Sequence, residues 1–186
     1  MSVPRPDVAR TPAEAAATAS RRLVLLRHAK ASSDDPRLAD AERPLTDHGR
    51  RDAAAIGHWL AEQDLHPDLV LCSTSLRTRQ TWAAALAAEP DLLADVAVRL
   101  EPAVYQAWPD TLLDLVQDLP DDVGTAVLVG HSPGVPDLAE RLNRTSGAGP
   151  VGDFPTSAVA VLDVAGAWSD LGPGTASLAA YAVPRG

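Results

Sequence analysis

Leu23-Val24-Leu25-Leu26-Arg27-His28-Ala29-Lys30 is the stretch from which the rest of the chain can be interpreted. Its four branched apolar residues in a row are typical of a strand buried on both faces, as in a parallel α/β sheet. The polar residues that follow mark the carboxyl end of that strand, the edge where open α/β sheets bind ligands. Arg27 and His28 at such an edge indicate a site for an anion such as a phosphoryl group. The structural alternative is a strand end at which His28 is only a hydrogen-bonded side chain.

The composition limits the class of protein. A chain of 186 residues fits one domain and is long enough to bury a core. Hydrophobic residues make up 46% but aromatic residues only 4%, so we expect that core to consist mainly of Leu, Val and Ala. The formal net charge of -9 argues against nucleic acid or an anionic membrane as a partner. A single cysteine, Cys72, excludes an intramolecular disulfide and predicts a reducing, cytoplasmic location.

Residues 1–20 differ in composition from the rest of the chain. They are rich in Ala, Pro and Thr, and they lack the apolar core that a secretory signal requires. We expect these residues to form a disordered or loosely packed tail, and residues 21–186 to form one folded domain.

After this tail, a pattern of strand, loop and helix repeats along the chain. Thr46 is a suitable N-cap for a helix that continues to about Glu62, because apolar residues recur there at helical spacing. The loop before it, residues 31–44, is long enough to fold over a site. We therefore predict a three-layer α/β/α domain with a mostly parallel central sheet. Further strands are predicted at residues 69–72, 96–100, 126–129, 158–164 and 176–183, and a loop at residues 147–155. Further helices are predicted to end near residues 88 and 142, and another is predicted to be capped by Asp110.

Three polar side chains follow the ends of predicted strands. His28 and His131 each come directly after a strongly apolar strand, and Arg77 follows a third strand by a few residues. Because the carboxyl ends of parallel strands lie along one edge of a sheet, we expect these three side chains to converge. An imidazole between Arg27 and Arg77 would lose proton affinity through like-charge repulsion. A neutral His28 would then be a nucleophile at pH 7.

Four short segments of the chain match the motifs of a known family. In chain order they are Leu25-Leu26-Arg27-His28-Ala29, then Arg43-Pro44-Leu45-Thr46 with Gly49, then Ser73 with Arg77, Gln80 and Thr81, and finally Val127-Leu128-Val129-Gly130-His131. They resemble the motifs of the histidine phosphatase superfamily, and within it the SixA-type phosphohistidine phosphatases, except that Ala29 replaces a glycine and Thr74 a proline. The resemblance spans residues 23 to about 140 and implies a phosphoglycerate-mutase-like fold.

The resemblance also implies a role for each matched side chain. His28 would take the phosphoryl group and form a phosphohistidine intermediate. Arg27, Arg77 and His131 would hold the oxygens of the transferring group as its charge shifts, and Arg43 would add a contact from the loop. Neither a metal nor a cofactor is implied, since the cations of the protein replace Mg²⁺.

Glu101 is the nearest candidate for a general acid, because it directly follows the predicted strand at residues 96–100. Many members of the superfamily supply such an acid to protonate the leaving oxygen. SixA-like members would need it less, because their leaving group is an imidazole on a labile N–P bond.

The function implied by the resemblance is the hydrolysis of phosphohistidine on a protein partner. Two alternatives stay open, a small-molecule phosphomonoesterase of the same superfamily and a catalytically inactive phosphate-binding module. A mutase is less favoured, because the chain has few insertions that could close over a sugar phosphate. We expect neither nucleic acid nor membrane as a partner, and a monomer or weak dimer.

Two other motifs point to different chemistry, but one fails on the order of residues in the chain and the other on spacing. Gly130-His131-Ser132-Pro133-Gly134 matches the nucleophile elbow Gly-x-Ser-x-Gly, but no histidine follows Ser132, so the Ser-Asp-His order cannot be assembled. Four residues separate Cys72 from Arg77, one fewer than in cysteine-dependent phosphatases, so we predict Cys72 to be a buried strand residue. His48, His58 and His66 lack metal-ligand spacing and are predicted to be solvated or packed side chains. Arg79 is predicted to be a charge on a helix surface.

Overall fold

A six-stranded sheet with helices on both faces organises the computed structural model, which describes residues 20–143 and 153–186. The strands are β1 (Ser20–Arg27), β2 (Leu69–Ser73), β3 (Ala97–Glu101), β4 (Thr125–Gly130), β5 (Val159–Ala165) and β6 (Ala176–Ala182). The helices are α1 (Asp47–Glu62), α2 (Leu76–Ala88), α3 (Pro90–Leu93), α4 (Pro109–Gln117) and α5 (Gly134–Leu142). The predicted tail, apart from Ser20, and most of the predicted loop at 147–155 lie outside the described residues.

The strand order in the sheet is β3-β2-β4-β1-β5-β6. β1 pairs in parallel with β4, β4 with β2, and β2 with β3, whereas β5 and β6 add antiparallel strands beyond β1. The prediction of a mostly parallel sheet closed by a strand pair is confirmed. In the register of β1 and β4, Arg27 lies opposite Gly130, so His28 and His131 leave the sheet side by side.

β1 explains why the sequence shows four apolar residues without interruption. It lies inside the sheet, and alternate side chains point to opposite faces. Leu23 and Leu25 pack in the core beneath α4 and α5, while Val24 and Leu26 pack in the core beneath α1 and α2. All four are fully buried, so helices cover both faces as predicted.

The starts of two helices test the capping predictions. Thr46 is the N-cap of α1, and its Oγ1 accepts a hydrogen bond from the backbone N of Gly49 at 2.9 Å, as predicted. The prediction that Asp110 caps α4 is wrong, because α4 begins at Pro109 with Trp108 as the N-cap. Proline is favoured at the first helical position, where no backbone N–H is needed. Asp110 lies in the first turn instead and forms an ion pair with Arg141.

The loop at residues 31–44 returns to the point where it leaves β1. The backbone N of Thr46 donates to the carbonyl oxygen of Lys30 at 2.9 Å, and Ala31 forms an isolated antiparallel bridge with Leu45. A Cβ on Gly49 would lie 2.1 Å from the same Lys30 oxygen, so this close approach requires glycine. The pinned ends hold a short 3₁₀ helix, Asp40–Glu42, against the carboxyl edge of the sheet.

Within the described ranges, no helix combines the length and apolar character needed to cross a bilayer.

Candidate active site

The orientation of the His28 ring is set by backbone hydrogen bonds at the end of β1. The backbone N of His28 donates to the Gly130 carbonyl at 3.1 Å, and its carbonyl oxygen accepts from the backbone N of Ser157 at 3.2 Å. In the ring, Nδ1 lies 2.8 Å from the carbonyl oxygen of Ala29. A carbonyl only accepts, so Nδ1 carries the proton and Nε2 keeps its lone pair. Nε2 is therefore the atom of this ring that can attack an electrophile.

His28 is neutral at pH 7. Its pKa is lowered to about 4, mainly by burial and to a lesser extent by the charges of Arg77, Arg27 and Arg43. Repulsion by the arginines, the cause expected from the sequence, is therefore smaller than the effect of losing solvent at the sheet edge. The consequence for chemistry is the same, since an unprotonated imidazole is available as a nucleophile.

Arg77 joins the two histidines. It lies in the first turn of α2 with its side chain buried. Its Nε lies 3.2 Å from Nε2 of His28, and its Nη2 lies 3.3 Å from Nδ1 of His131. The centroids of the two imidazole rings are 5.2 Å apart, well within reach of one phosphoryl group. The predicted convergence of these three side chains is observed.

His131 is also held as a neutral ring. Because Arg77 donates to its Nδ1, the proton of His131 lies on Nε2, which is 2.9 Å from Oγ of Ser73. The pKa of His131 is lowered to about 3, mainly by burial and to a lesser extent by its proximity to His28 and the charge of Arg77. The lone pair on Nδ1 of His131 thus accepts from the guanidinium of Arg77. Nδ1 becomes a donor only if a bound anion raises the proton affinity of the ring.

Arg27, the last residue of β1, borders the site from the other side. Its Nη1 donates to the carbonyl oxygen of Phe154 at 2.7 Å, and its buried Nε has no hydrogen-bond partner among residues 20–143 and 153–186. Its charge lowers the pKa of both His28 and His131. A cavity of about 560 Å³ opens beside this side chain, and its lining includes Ser132, Glu140 and Phe154.

Sequence reasoning missed two side chains in the site, Asp40 and Tyr105. Oδ2 of Asp40 accepts hydrogen bonds from Nη2 of Arg77 at 2.9 Å and from the hydroxyl of Tyr105 at 2.7 Å. The Tyr105 ring meets His131 edge-on, with the ring centroids 5.4 Å apart. The one available signal was the predicted loop over the site, which contains Asp40. No spacing rule selects this aspartate from its neighbours or places Tyr105 beside it.

Two further predicted residues lie at the margin of this group. Nη1 of Arg43 donates to Oδ1 of Asp40 at 3.1 Å and its Nε donates to the Ser32 carbonyl at 2.7 Å, so Arg43 does reach the site through Asp40. Glu101 accepts from the backbone N of Ala103 at 3.2 Å and lies 3.8 Å from Nε of Arg99. Its role as a general acid stays a prediction.

Two matched motif residues support the backbone around the site. Oγ1 of Thr81 accepts from the backbone N of Ala29 at 3.0 Å, and Oε1 of Gln80 accepts from the backbone N of Leu45 at 2.8 Å. Ala29 is completely buried, which explains a small residue at this position. These side chains hold the start and the end of the loop at residues 31–44 against α2.

The residues to which the sequence assigned no role in the site lie where their predictions allow. Cys72 is buried in β2, and burial raises the pKa of its thiol to about 11, so it is not a thiolate nucleophile at pH 7. Arg79 is exposed. The other three histidines are also exposed, and each lies beside a carboxylate: His48 with Asp52, His58 with Glu89 and His66 with Asp64.

Comparisons with known proteins agree with this geometry. The family model for the histidine phosphatase superfamily (branch 1) matches residues 23–130. An uncharacterized protein of Mycobacterium tuberculosis is 39% identical over 166 residues, which cover 86% of this chain and 100% of that protein. Two solved structures of proteins that carry the name phosphohistidine phosphatase SixA also match. The one from Nakamurella multipartitia is 37% identical with a TM-score of 0.78, covering 89% of this chain and 96% of that one. The one from Agrobacterium tumefaciens is 30% identical with a TM-score of 0.74, covering 88% and 98%. The chain therefore belongs to branch 1 of the histidine phosphatase superfamily and has the SixA-like, phosphoglycerate-mutase-like α/β fold.

Proposed function

We propose that this phosphatase removes the phosphoryl group from phosphohistidine on a protein, by way of a phosphohistidine formed on its own His28. The observation that carries the proposal is the unprotonated Nε2 of His28, which lies 3.2 Å from Nε of Arg77 and beside the ring of His131. A nucleophile next to donors aimed at the same point is the arrangement that phosphoryl transfer requires.

In the first step, Nε2 of His28 attacks phosphorus, the new N–P bond forms and the N–P bond of the substrate breaks. Nε and Nη2 of Arg77 then donate to phosphoryl oxygens instead of to the two histidines, and the charge of Arg27 stabilises the same group. As Nε2 gives up its lone pair, the ring of His28 becomes positive. The hydrogen bond from Nδ1 to the Ala29 carbonyl, 2.8 Å long, stabilises this charge and keeps the ring in place.

In the second step, a water molecule attacks phosphorus, and inorganic phosphate leaves as His28 recovers its lone pair. His131 contributes to both steps once the phosphoryl charge raises its proton affinity, since a protonated Nδ1 can donate to an oxygen. The hydrogen bond between Nε2 of His131 and Ser73 fixes the ring so that Nδ1 faces the group being transferred.

The contacts of Glu101 favour phosphohistidine over an ester as the substrate. Both of its oxygens have partners, the backbone N of Ala103 and the guanidinium of Arg99. A phosphohistidine whose second ring nitrogen is protonated leaves as neutral imidazole and needs no proton from the enzyme, whereas an alkoxide does. The two SixA-named proteins similar to this chain support the same choice.

The alternative within the enzyme class is a small-molecule phosphomonoesterase. The cavity of about 560 Å³ beside Arg27 favours it, because this volume is sufficient for a small organic phosphate.

We propose further that the reaction is independent of metal ions and cofactors. The guanidinium groups of Arg27, Arg43 and Arg77 all act on His28 electrostatically and can neutralise phosphoryl charge as Mg²⁺ does in other phosphoryl-transfer enzymes.

A comparison of substrates tests the proposed function. We would measure kcat/KM on a phosphohistidine protein and on a panel of sugar and nucleotide phosphates, with the wild type, Glu101→Gln and His28→Ala. We expect a preference of about tenfold or more for phosphohistidine and little effect of Glu101→Gln on it, since loss of a needed general acid costs roughly 10²–10⁴ in rate. A preference of similar size for an ester, with a large effect of Glu101→Gln, would make the chain a phosphomonoesterase. No turnover of any substrate by the wild type would make it a binding module.

A further inference from the structure

The two edges of the Arg77 guanidinium face different partners. A guanidinium presents pairs of N–H groups along the edge formed by Nε and Nη2 and along the edge formed by Nη1 and Nη2. The first edge faces Nε2 of His28 at 3.2 Å and Nδ1 of His131 at 3.3 Å. The second edge is held by Asp40, whose backbone oxygen accepts from Nη1 at 2.6 Å and whose Oδ2 accepts from Nη2 at 2.9 Å. The same aspartate thus binds both nitrogens of the edge that points away from His28.

Asp40 is itself held by two side chains. The hydroxyl of Tyr105 donates to Oδ2 at 2.7 Å, and Nη1 of Arg43 donates to Oδ1 at 3.1 Å. The hydrogen bond from Tyr105, with those from Arg77 and Arg43, holds the pKa of the Asp40 carboxyl well below its usual range. Asp40 is therefore an anion at pH 7, and it has no proton to give to a leaving group.

The backbone of Asp40 is fixed as well. It begins the 3₁₀ helix Asp40–Glu42, and the loop that carries this helix is pinned at both ends near Lys30 and Thr46. Arg77, by contrast, has a long side chain whose guanidinium can turn about several bonds. Without Asp40, nothing among the contacts described above would hold its Nη1 nitrogen.

We propose that Asp40, held by Tyr105, is a positioning residue that orients the Arg77 guanidinium so that its Nε and Nη2 groups face the phosphoryl group on His28. This inference rests on the proposed function of the site. Arg77 is placed to bind two phosphoryl oxygens at once only in this rotation, because its donors are fixed in one plane. Asp40 acts through Arg77 and does not touch the reacting atoms.

An opposite role for the same carboxylate makes a different prediction. If Asp40 occupied the place of the phosphoryl group, it would compete with substrate, and its removal would tighten the binding of phosphate analogues. The contacts argue against this role, because Asp40 binds the edge of Arg77 that points away from Nε2 of His28.

The test is a double-mutant cycle of Asp40→Asn with Arg77→Lys, read by kcat on the best substrate and by the Kd of tungstate from calorimetry. Lysine keeps the charge but has no planar fork to orient. In the Arg77 background we expect Asp40→Asn to lower kcat about 10–100-fold and to weaken tungstate binding at least about threefold, since small misplacements can cost about 10² in rate. In the Arg77→Lys background, Asp40→Asn should change kcat and the Kd of tungstate less than about twofold. Tyr105→Phe should shift both in the same direction by a smaller factor.

Asp35→Asn is the matched control, because Asp35 lies on the same loop and pairs with Arg37 instead. It should leave kcat and tungstate affinity unchanged, and thermal unfolding of each variant shows whether it is folded. Equal effects of Asp40→Asn in the two backgrounds, no effect in either, or tighter tungstate binding would each overturn the proposal. If the wild type hydrolyses nothing, the proposed function fails, while the tungstate arm of the cycle still decides the role of Asp40.

Discussion

The Nε2 atom of His28 lies 3.2 Å from the Nε atom of Arg77, so the lone pair of the proposed nucleophile faces a permanent cation. This contact discourages protonation of Nε2 and directs it toward the place where phosphoryl oxygens would bind. When a phosphoryl group bonds to Nε2, Arg77 must donate to that group instead. In the proposed reaction, the hydrogen bond from Arg77 to a neutral ring is therefore exchanged for stronger hydrogen bonds from Arg77 to an anion.

His28→Ala should abolish turnover and leave the fold intact. In the proposed mechanism the imidazole is the nucleophile, and no neighbouring group can form the same covalent intermediate. Mass spectrometry after a quench that avoids acid should find phosphate on His28 of the wild type and none on the variant. His66→Ala is the matched control, because His66 is exposed and paired with Asp64, and it should keep full activity. Full activity in His28→Ala would overturn the mechanism.

The pH dependence of kcat/KM should show no ionisation of the nucleophile between about pH 5 and 8. Since burial lowers the pKa of His28 to about 4, the ring is already neutral throughout this range, and activity should fall only as the pH drops through about 4. A loss of activity centred near pH 6.5, the ordinary pKa of histidine, would show that His28 is not the buried, neutral nucleophile of the proposed mechanism.

The same shifts make the folded state sensitive to acid. The unfolded chain binds protons at His28 and His131 near pH 6.5, whereas the folded chain does so only near pH 4 and pH 3. Their contribution to stability is therefore complete above pH 6.5 and is lost as the pH falls from there toward these lower values. Between pH 7 and pH 4, the melting temperature should fall less for His28→Asn than for the wild type, as measured by thermal unfolding.

Treatment with a chelator should leave activity unchanged, and tungstate should inhibit. The arginines supply the positive charge, and tungstate can imitate the geometry of the phosphoryl transition state. The measurement is the initial rate before and after EDTA, followed by addition of Zn²⁺ or Mg²⁺. Activity that disappears with EDTA and returns with either metal would contradict metal independence.

Gly49→Ala should destabilise the protein, because the new Cβ would lie 2.1 Å from the carbonyl oxygen of Lys30, a backbone atom that cannot move freely. We expect a loss of about 1–3 kcal/mol in the free energy of unfolding, typical of overpacking, measured by urea denaturation. Gly172→Ala is the control, because the nearest atom to its Cβ would be 4.0 Å away. Equal stability of the two variants would show that the approach of α1 to Lys30 is not tight.

Most strands and helices of this fold, and the edge of the sheet where the site lies, could be predicted from the amino-acid sequence. The apolar run before Arg27, the cap at Thr46 and the histidines that follow two strands are local signals, and each depends on neighbours within a few positions. The parallel arrangement of strands then brings His28 and His131 together, because both leave the sheet at its carboxyl edge. The capping error at Asp110 shows the limit of such signals, since Pro109 competes for the same helix start.

The atomic contacts within the site could not be predicted in this way, because they depend on the folded chain. Hydrogen bonds in the folded chain decide which nitrogen of His28 is protonated, which groups contact Glu101 and how Asp40 binds Arg77. Each of these bonds depends on the position of the backbone in the fold. Asp40 is 37 positions from Arg77 and 65 from Tyr105. No periodicity along the chain encodes a contact across such separations. Several aspartates in the loop are chemically equivalent as sequence, and packing of the loop against the sheet edge places Asp40 alone beside both partners.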